Sequence, residues 1–154
     1  MHTTTAEPSW TALLHDHGLR ATGPRLAVLR SLWEHPHTSA DQIVQDARLR
    51  LERLSAQSVY NVLADLSQCH LIRRLALPQG PGIFEIDLHD NHHHAVCTRC
   101  GRVVDVACAV GHAPCLTPSD DHGIAIEVAD VLYSGLCDDC RHEIATTNPE
   151  EQTP

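Results

Sequence analysis

The chain has 154 residues, 42% of them hydrophobic and only 3% aromatic, and its 11 basic residues against 20 acids give a formal net charge of −9. That length suits one average domain or two small ones sharing elements. No apolar run reaches the length of a membrane span, and the N-terminus has neither a basic nor an apolar leader, so a cytoplasmic protein with no membrane partner is expected. Seven cysteines is an odd number, which fits thiols in a reducing compartment better than a disulfide framework. The charge is unevenly spread. Residues 1–82 hold eight Arg and seven acids, net +1, whereas residues 83–154 hold three Arg and thirteen acids, net −10. The first half can approach a polyanion, and the second is repelled by it unless metal ions neutralise part of its charge.

Taken in order, Trp10, Leu13 and Leu14 have helical spacing, and Gly18 is placed to end that helix as a C′ residue. Residues 19–22 form a connector carrying Arg20. Pro24 suits the first turn of a second helix, with Leu26, Val28, Leu29, Leu32 and Trp33 on its apolar face and its end near His35-Pro36. Ser39 and Gln42 form a capping-box pattern that opens a third helix, with Ile43, Val44, Ala47 and Leu51 inward. After Ser55, Val59, Val62, Leu63 and Leu66 define the buried face of a fourth helix. Gln57, Tyr60, Asn61 and Ala64 then face outward, and a tyrosine beside amides suits a base-reading surface, although exposed polar residues also serve as a merely solvated face.

Residues 71–77 and 83–86 read as two strands joined by a Pro-Gln-Gly-Pro-Gly turn, so the first part of the chain predicts a helix-turn-helix with a two-stranded wing. Further on, 103–106 reads as a strand and 108–123, with Gly111, Pro114, Pro118 and Gly123, as loop. The alternation of 124–128, continuing toward 131–133, predicts a strand or two. Residues 138–145 suit a last helix, and the polar tail from 146 to 154 should fray. The expected architecture is α+β, with a winged helix-turn-helix domain over 1–82 and a small α/β domain over 83–154.

The stretch from Asp90 to Asp105 holds three consecutive histidines and a Cys-x-x-Cys, and a second Cys-x-x-Cys follows after 36 intervening residues. Cys97, Cys100, Cys137 and Cys140 can supply four thiolates to one tetrahedral zinc, with Gly101 allowing the knuckle turn. A closed site of four thiolates is structural, because it leaves no open position for water or substrate. His92 and His94 alternate on an extended segment and so share one face, with His93 on the other. Their imidazoles, with Glu85 and Asp105 as oxygen donors, suit a second metal of the iron, manganese, nickel or zinc type. Cys69, Cys108 and Cys115 remain as bystanders or as a thiol switch.

Leu19-Arg-Ala-Thr-Gly-Pro-Arg25, His35-Pro-His-Thr-Ser-Ala-Asp41, Ser58-Val-Tyr60, His92-His-His94, Cys97-x-x-Cys-Gly101 and Gly135-Leu-Cys-x-x-Cys140 together resemble the ferric uptake regulator (Fur) family over about residues 10 to 145. The family comprises dimeric, metal-responsive transcription repressors. Within it, Asp90-Asn91-His92 and the segment from Ala113 to Asp120 are most similar to the actinobacterial peroxide-responsive branch associated with catalase genes. The resemblance implies a homodimer on a double-stranded operator with an inverted repeat, and a second domain that dimerises. It implies structural Zn2+ on the four cysteines and regulatory Fe2+ or Mn2+ on His37, Glu85, His92, His94 and Asp105, with Ni2+ or Zn2+ as other occupants and Asp87 as an alternate carboxylate. On that branch, bound ferrous iron reacts with peroxide, a ligand histidine is oxidised and the repressor lets go.

For DNA, the resemblance places Arg20 in the minor groove and Tyr60 against thymine methyl groups, with Arg25 on a phosphate. Asn61 stands where an arginine commonly follows that tyrosine, which puts the usual operator consensus in doubt. A secondary metal site of the family falls here on His93, with His112 and His122 as further donors. Two other readings compete. A sensor of iron, nickel or zinc level needs the same ligands without peroxide chemistry. A zinc enzyme such as a deaminase needs a His-x-Glu and a Pro-Cys-x-x-Cys, and neither is present, so the chain is expected not to be an enzyme.

Overall fold

The computed structural model describes residues 7–88, 91–112 and 114–147, so the expected frayed tail beyond 147 lies outside the described residues, as do Asp90 and Ala113 of the quoted motifs. The chain divides into two compact units, the first running to Leu77 and then over Pro81–Leu88. The expected boundary at 82/83 therefore falls before a strand that belongs with the first unit.

In that first unit, α1 (Trp10–Asp16) ends with Gly18 at φ 71°, whose N–H donates to His15 O at 2.9 Å while Leu19 N–H donates to Leu14 O at 2.8 Å. These are the two hydrogen bonds of a Schellman stop, and the positive φ is the reason for glycine. α2 (Gly23–Glu34) carries Pro24 in its first turn. α3 (Ala40–Arg50) starts at Ser39, whose Oγ accepts from Gln42 N–H at 3.4 Å. The capping box is only half formed, because the Gln42 side chain reaches forward to Asp46 at 3.0 Å instead of back. α4 (Ala56–Gln68) starts at Ser55, whose Oγ accepts from Ser58 N–H at 3.1 Å, and it buries Val59, Val62, Leu63 and Leu66 as its spacing predicts.

Leu14, Val28, Leu29, Ile43, Val59 and Leu66 are fully buried in one core among these helices. Each removes a side chain worth about 1.5–3 kcal/mol from water. The wing has three strands, one more than expected: β1 (Thr38–Ser39), β2 (Ile72–Leu75) and β3 (Ile83–Ile86) pair antiparallel in the order β1-β3-β2. A two-residue strand has too few residues to show a period, and Thr38-Ser39 reads in sequence only as a cap.

The second unit is built on β4 (His92–Cys97), β5 (Val103–Ala107) and β6 (Leu132–Gly135), in the order β5-β4-β6, followed by α5 (Asp138–Thr147). β4 pairs antiparallel with β5 and parallel with β6. The alternating segment 124–130 is not a strand; Ile124 and Val128 stay 63% and 65% exposed. Its alternation marks a face that finds no cover within the second unit, and without a pairing partner alternation alone does not make a strand.

Candidate metal centres and nucleic-acid face

The parallel pairing of β4 with β6 sets Cys97 opposite Gly135, so the two Cys-x-x-Cys knuckles leave the same end of the sheet. Thr98 N–H donates to Gly135 O at 2.7 Å, and Gly101, at φ 74°, donates its N–H to Cys97 O at 2.9 Å. Cys140 enters from the first turn of α5. The sulfurs of Cys97, Cys100, Cys137 and Cys140 all lie within 4.8 Å of one another, with Cys100 and Cys137 3.7 Å apart. Four thiols gathered around one point fit a tetrahedral zinc. The Cys97 thiol is pulled down to about 6 by backbone N–H donation from Cys100 and Cys137, while burial pushes Cys140 up to about 12. Cys97 is thus poised as a thiolate, whereas Cys100 and Cys140, held above the ordinary thiol value, lose their protons on binding a metal.

The nitrogen and oxygen donors form a set in each unit. In the first, β1 and β2 flank β3, and Glu85, 4% exposed, meets His37 Nε2 at 2.9 Å and also pairs with Arg73, its register partner on β2. His37 has φ 59°, a left-handed conformation that a residue with a Cβ adopts only under constraint. In the second unit, β4 and β5 put His94 opposite Asp105. Asp105 Oδ1 lies 3.7 Å from His94 Nε2 and 3.9 Å from His92 Nε2, and the two imidazole centroids are 4.9 Å apart. Imidazole with carboxylate is the donor chemistry of borderline divalent ions, so both sets fit the expected metal type.

His93, on the opposite face of β4, was expected beside His112 and His122. Among the described residues it is grouped instead with Cys108 and Cys115, while His112 and His122 are exposed and join no donor cluster. Sequence reasoning left these two thiols unassigned, because the loop that brings them back has no period to read. Cys69 lies in the first unit.

On α4, Gln57, Tyr60 and Asn61 are exposed as their spacing predicts, and Gln57 Nε2 donates to Asn61 Oδ1 at 2.9 Å. Tyr60 OH donates to Asp41 Oδ1 at 2.9 Å, which raises its pKa above the ordinary phenol value. Arg20 is exposed. Arg25 is engaged internally, donating to Asp65 at 2.8 Å and to Arg20 O at 3.0 Å with its side chain 18% exposed. Among the described residues, no helix is long and apolar enough to cross a membrane.

Comparison with known proteins agrees with this geometry. The ferric uptake regulator family model matches residues 16–127. "Ferric uptake regulation protein 1" of Mycolicibacterium fortuitum is 45% identical over 124 residues, covering 80% of this chain and 77% of that protein. The transcriptional regulator FurA of Mycobacterium tuberculosis is 43% identical over 133 residues, covering 86% and 90% respectively. Among solved structures, the Campylobacter jejuni peroxide stress regulator superposes with a TM-score of 0.63 at 25% identity, covering 86% of this chain and all of that one (100%).

Proposed function

This chain belongs to the ferric uptake regulator family, and on that premise we propose that it is a metal-dependent transcriptional repressor that responds to peroxide and controls oxidative-stress genes of the catalase type. The observation that carries the reading is the pair of preassembled donor sets: His37 with Glu85 in the first unit, and His92 and His94 with Asp105 in the second. A divalent ion that takes ligands from both sets fixes one unit against the other. In a homodimer this sets the spacing of the two α4 helices, which must match half-sites about one helical turn apart. Metal binding and DNA binding are then coupled by a free energy of about 1–3 kcal/mol. The exposed Ile124, Ile126 and Val128 favour dimerisation through the second unit, because such a patch is covered at low cost by a second copy of itself.

Structural Zn2+ belongs on Cys97, Cys100, Cys137 and Cys140, and Fe2+ or Mn2+ on the regulatory residues. Ferrous iron, when bound, supplies the one-electron reduction of peroxide that manganese does not. The protein's own contribution would be to hold His37 and His92 as imidazole ligands open to oxidation by that chemistry. Exposed Arg20, Gln57, Tyr60 and Asn61 form the DNA face, with phosphates carrying the affinity and base edges the specificity. Similarity to a peroxide stress regulator supports the peroxide reading.

The test is anisotropy binding of zinc-replete protein to its own upstream DNA, loaded with Fe2+ or Mn2+, before and after brief low peroxide. Loss of affinity in the iron form alone, with oxygen added at His37 or His92 by mass spectrometry, is the expected result. Equal loss in both forms would point to thiol oxidation, and no loss in either to a metal-level sensor.

A further inference from the structure

Among the described residues, the donor sets above leave unused the buried imidazole of His93 and the thiols of Cys69, Cys108 and Cys115, of which the last two lie beside that imidazole. His93 is 5% exposed, and its Nε2 lies 3.3 Å from Cys115 Sγ. The strand register explains the meeting. His93 is opposite Val106 on β5, so both face the side of the sheet away from His92 and His94, and Cys108, two residues past Val106, continues on that side just beyond the strand end. The loop then turns through Gly111, at φ 80°, and returns Cys115 to the same place. The three donor atoms all lie within 4.8 Å of one another.

We infer that His93, Cys108 and Cys115 form a further metal site, a set of two thiolates and one imidazole with one open coordination position, that takes a zinc-class cation and is separate from both the four-cysteine centre and the nitrogen-and-oxygen regulatory set. Donors around a zinc with bonds of about 2.0–2.3 Å sit roughly 3.3–3.8 Å apart, so the His93–Cys115 separation already suits a shared ion. Gly111 N–H donates to Cys108 Sγ at 3.4 Å, the same kind of backbone donation to sulfur that Cys137 N–H makes to Cys97 at 3.4 Å. That donation holds the Cys108 thiol below its ordinary pKa, whereas burial and the neighbouring Cys108 sulfur hold Cys115 above its own. Two thiolates and an imidazole select zinc over Fe2+ and Mn2+. The site therefore gives this chain a response to zinc that does not compete for the regulatory ligands.

The first experiment uses the unaltered full chain, reduced and dialysed against a weak chelator so that one tightly held zinc equivalent remains. A pulse of iodoacetamide with and without added Zn2+ is read cysteine by cysteine in a mass spectrometer. Alkylation of Cys108 and Cys115 should slow together by about tenfold once zinc reaches ten times its dissociation constant, with Cys69 unchanged as internal reference. Unchanged rates at both, or protection of only one, would overturn the site. The second adds Co2+ and compares the sulfur-to-cobalt charge-transfer band of the unaltered chain with that of a Cys108→Ser/Cys115→Ser double variant shown to retain its one zinc. The variant should lose a two-thiolate increment; a band of full strength in it overturns the proposal. X-ray absorption on the unaltered cobalt-loaded chain keeps the test open if the variant does not fold, because a further cobalt shell containing two sulfurs and nitrogen is required and a shell without sulfur refutes it.

Discussion

Two basic side chains converge on Glu85. It is buried, its carboxylate meets His37 on one side, and Arg73 pairs with it from the neighbouring strand. A buried carboxylate is stable only when paired, so Arg73 supplies in the metal-free chain the positive charge that a divalent ion would otherwise bring. Arg73 holds Oε1 while His37 faces Oε2, so an incoming metal at Oε2 shares the carboxylate with a guanidinium whose positive charge opposes it. Arg73→Ala should therefore tighten Mn2+ binding at the regulatory residues, on the order of tenfold or about 1.4 kcal/mol. A Mn2+ titration followed by electron paramagnetic resonance reads this directly, and affinity that is unchanged or weaker would mean that Arg73 does not compete. The strain at His37 has the same local origin. Its left-handed backbone turns the chain from α2 into β1, and Thr38 Oγ1 donating to His35 O at 2.5 Å closes the turn. The motif around it suggested a ligand only by resemblance, since one histidine between helices carries no period of its own.

At the scale of elements, helix starts separate local chemistry from pattern. Ser55 caps α4 through a side-chain hydrogen bond to Ser58 N–H, whereas Thr22, at the corresponding position of α2, makes no side-chain cap. Ser55→Ala should cost about 1 kcal/mol, within the usual range for a lost N-cap, and Thr22→Ala should cost only a few tenths. Urea unfolding of the two variants checks the contrast; equal losses would mean that residue type alone governs the cap. The helices were legible because 3.6-residue spacing reports burial, and Val59, Val62, Leu63 and Leu66 bear this out on α4. The knuckles were legible because Cys-x-x-Cys is itself the turn geometry. Elements set by tertiary pairing were not. β1 is two residues long, the alternation of 124–130 describes an uncovered face, and Cys108 and Cys115 meet His93 only through the register of β4 on β5.

The two units are stabilised by different means. The principal core lies wholly in the first, whereas in the second the buried hydrophobic residues described are Val96, Cys97 and Cys140, with Val104, Val110, Leu116, Leu132 and Leu136 exposed. So little burial cannot offset the ordering of some fifty residues at about 1–2 kcal/mol each, so zinc at the four-cysteine centre and a second copy of the chain must supply the rest. Strong chelation should then unfold the second unit and leave the first standing. Because α1 to α4 lie in the first unit and α5 alone in the second, the helical circular-dichroism signal should fall by only a minor fraction on zinc removal. Heating the chelated protein should then show one remaining cooperative transition, that of the first unit. Tryptophan fluorescence provides the independent reading, since Trp10 and Trp33 pack edge to face at 5.6 Å within the first unit and should report no change until that transition. Simultaneous loss of zinc, helix and the tryptophan signal would show instead that the first unit depends on the second for its stability. On the proposed function, a first unit that survives zinc loss would retain its exposed arginines but lose the dimer that sets their spacing. The same chelation should therefore leave weak, salt-sensitive binding to any DNA and abolish preference for the operator.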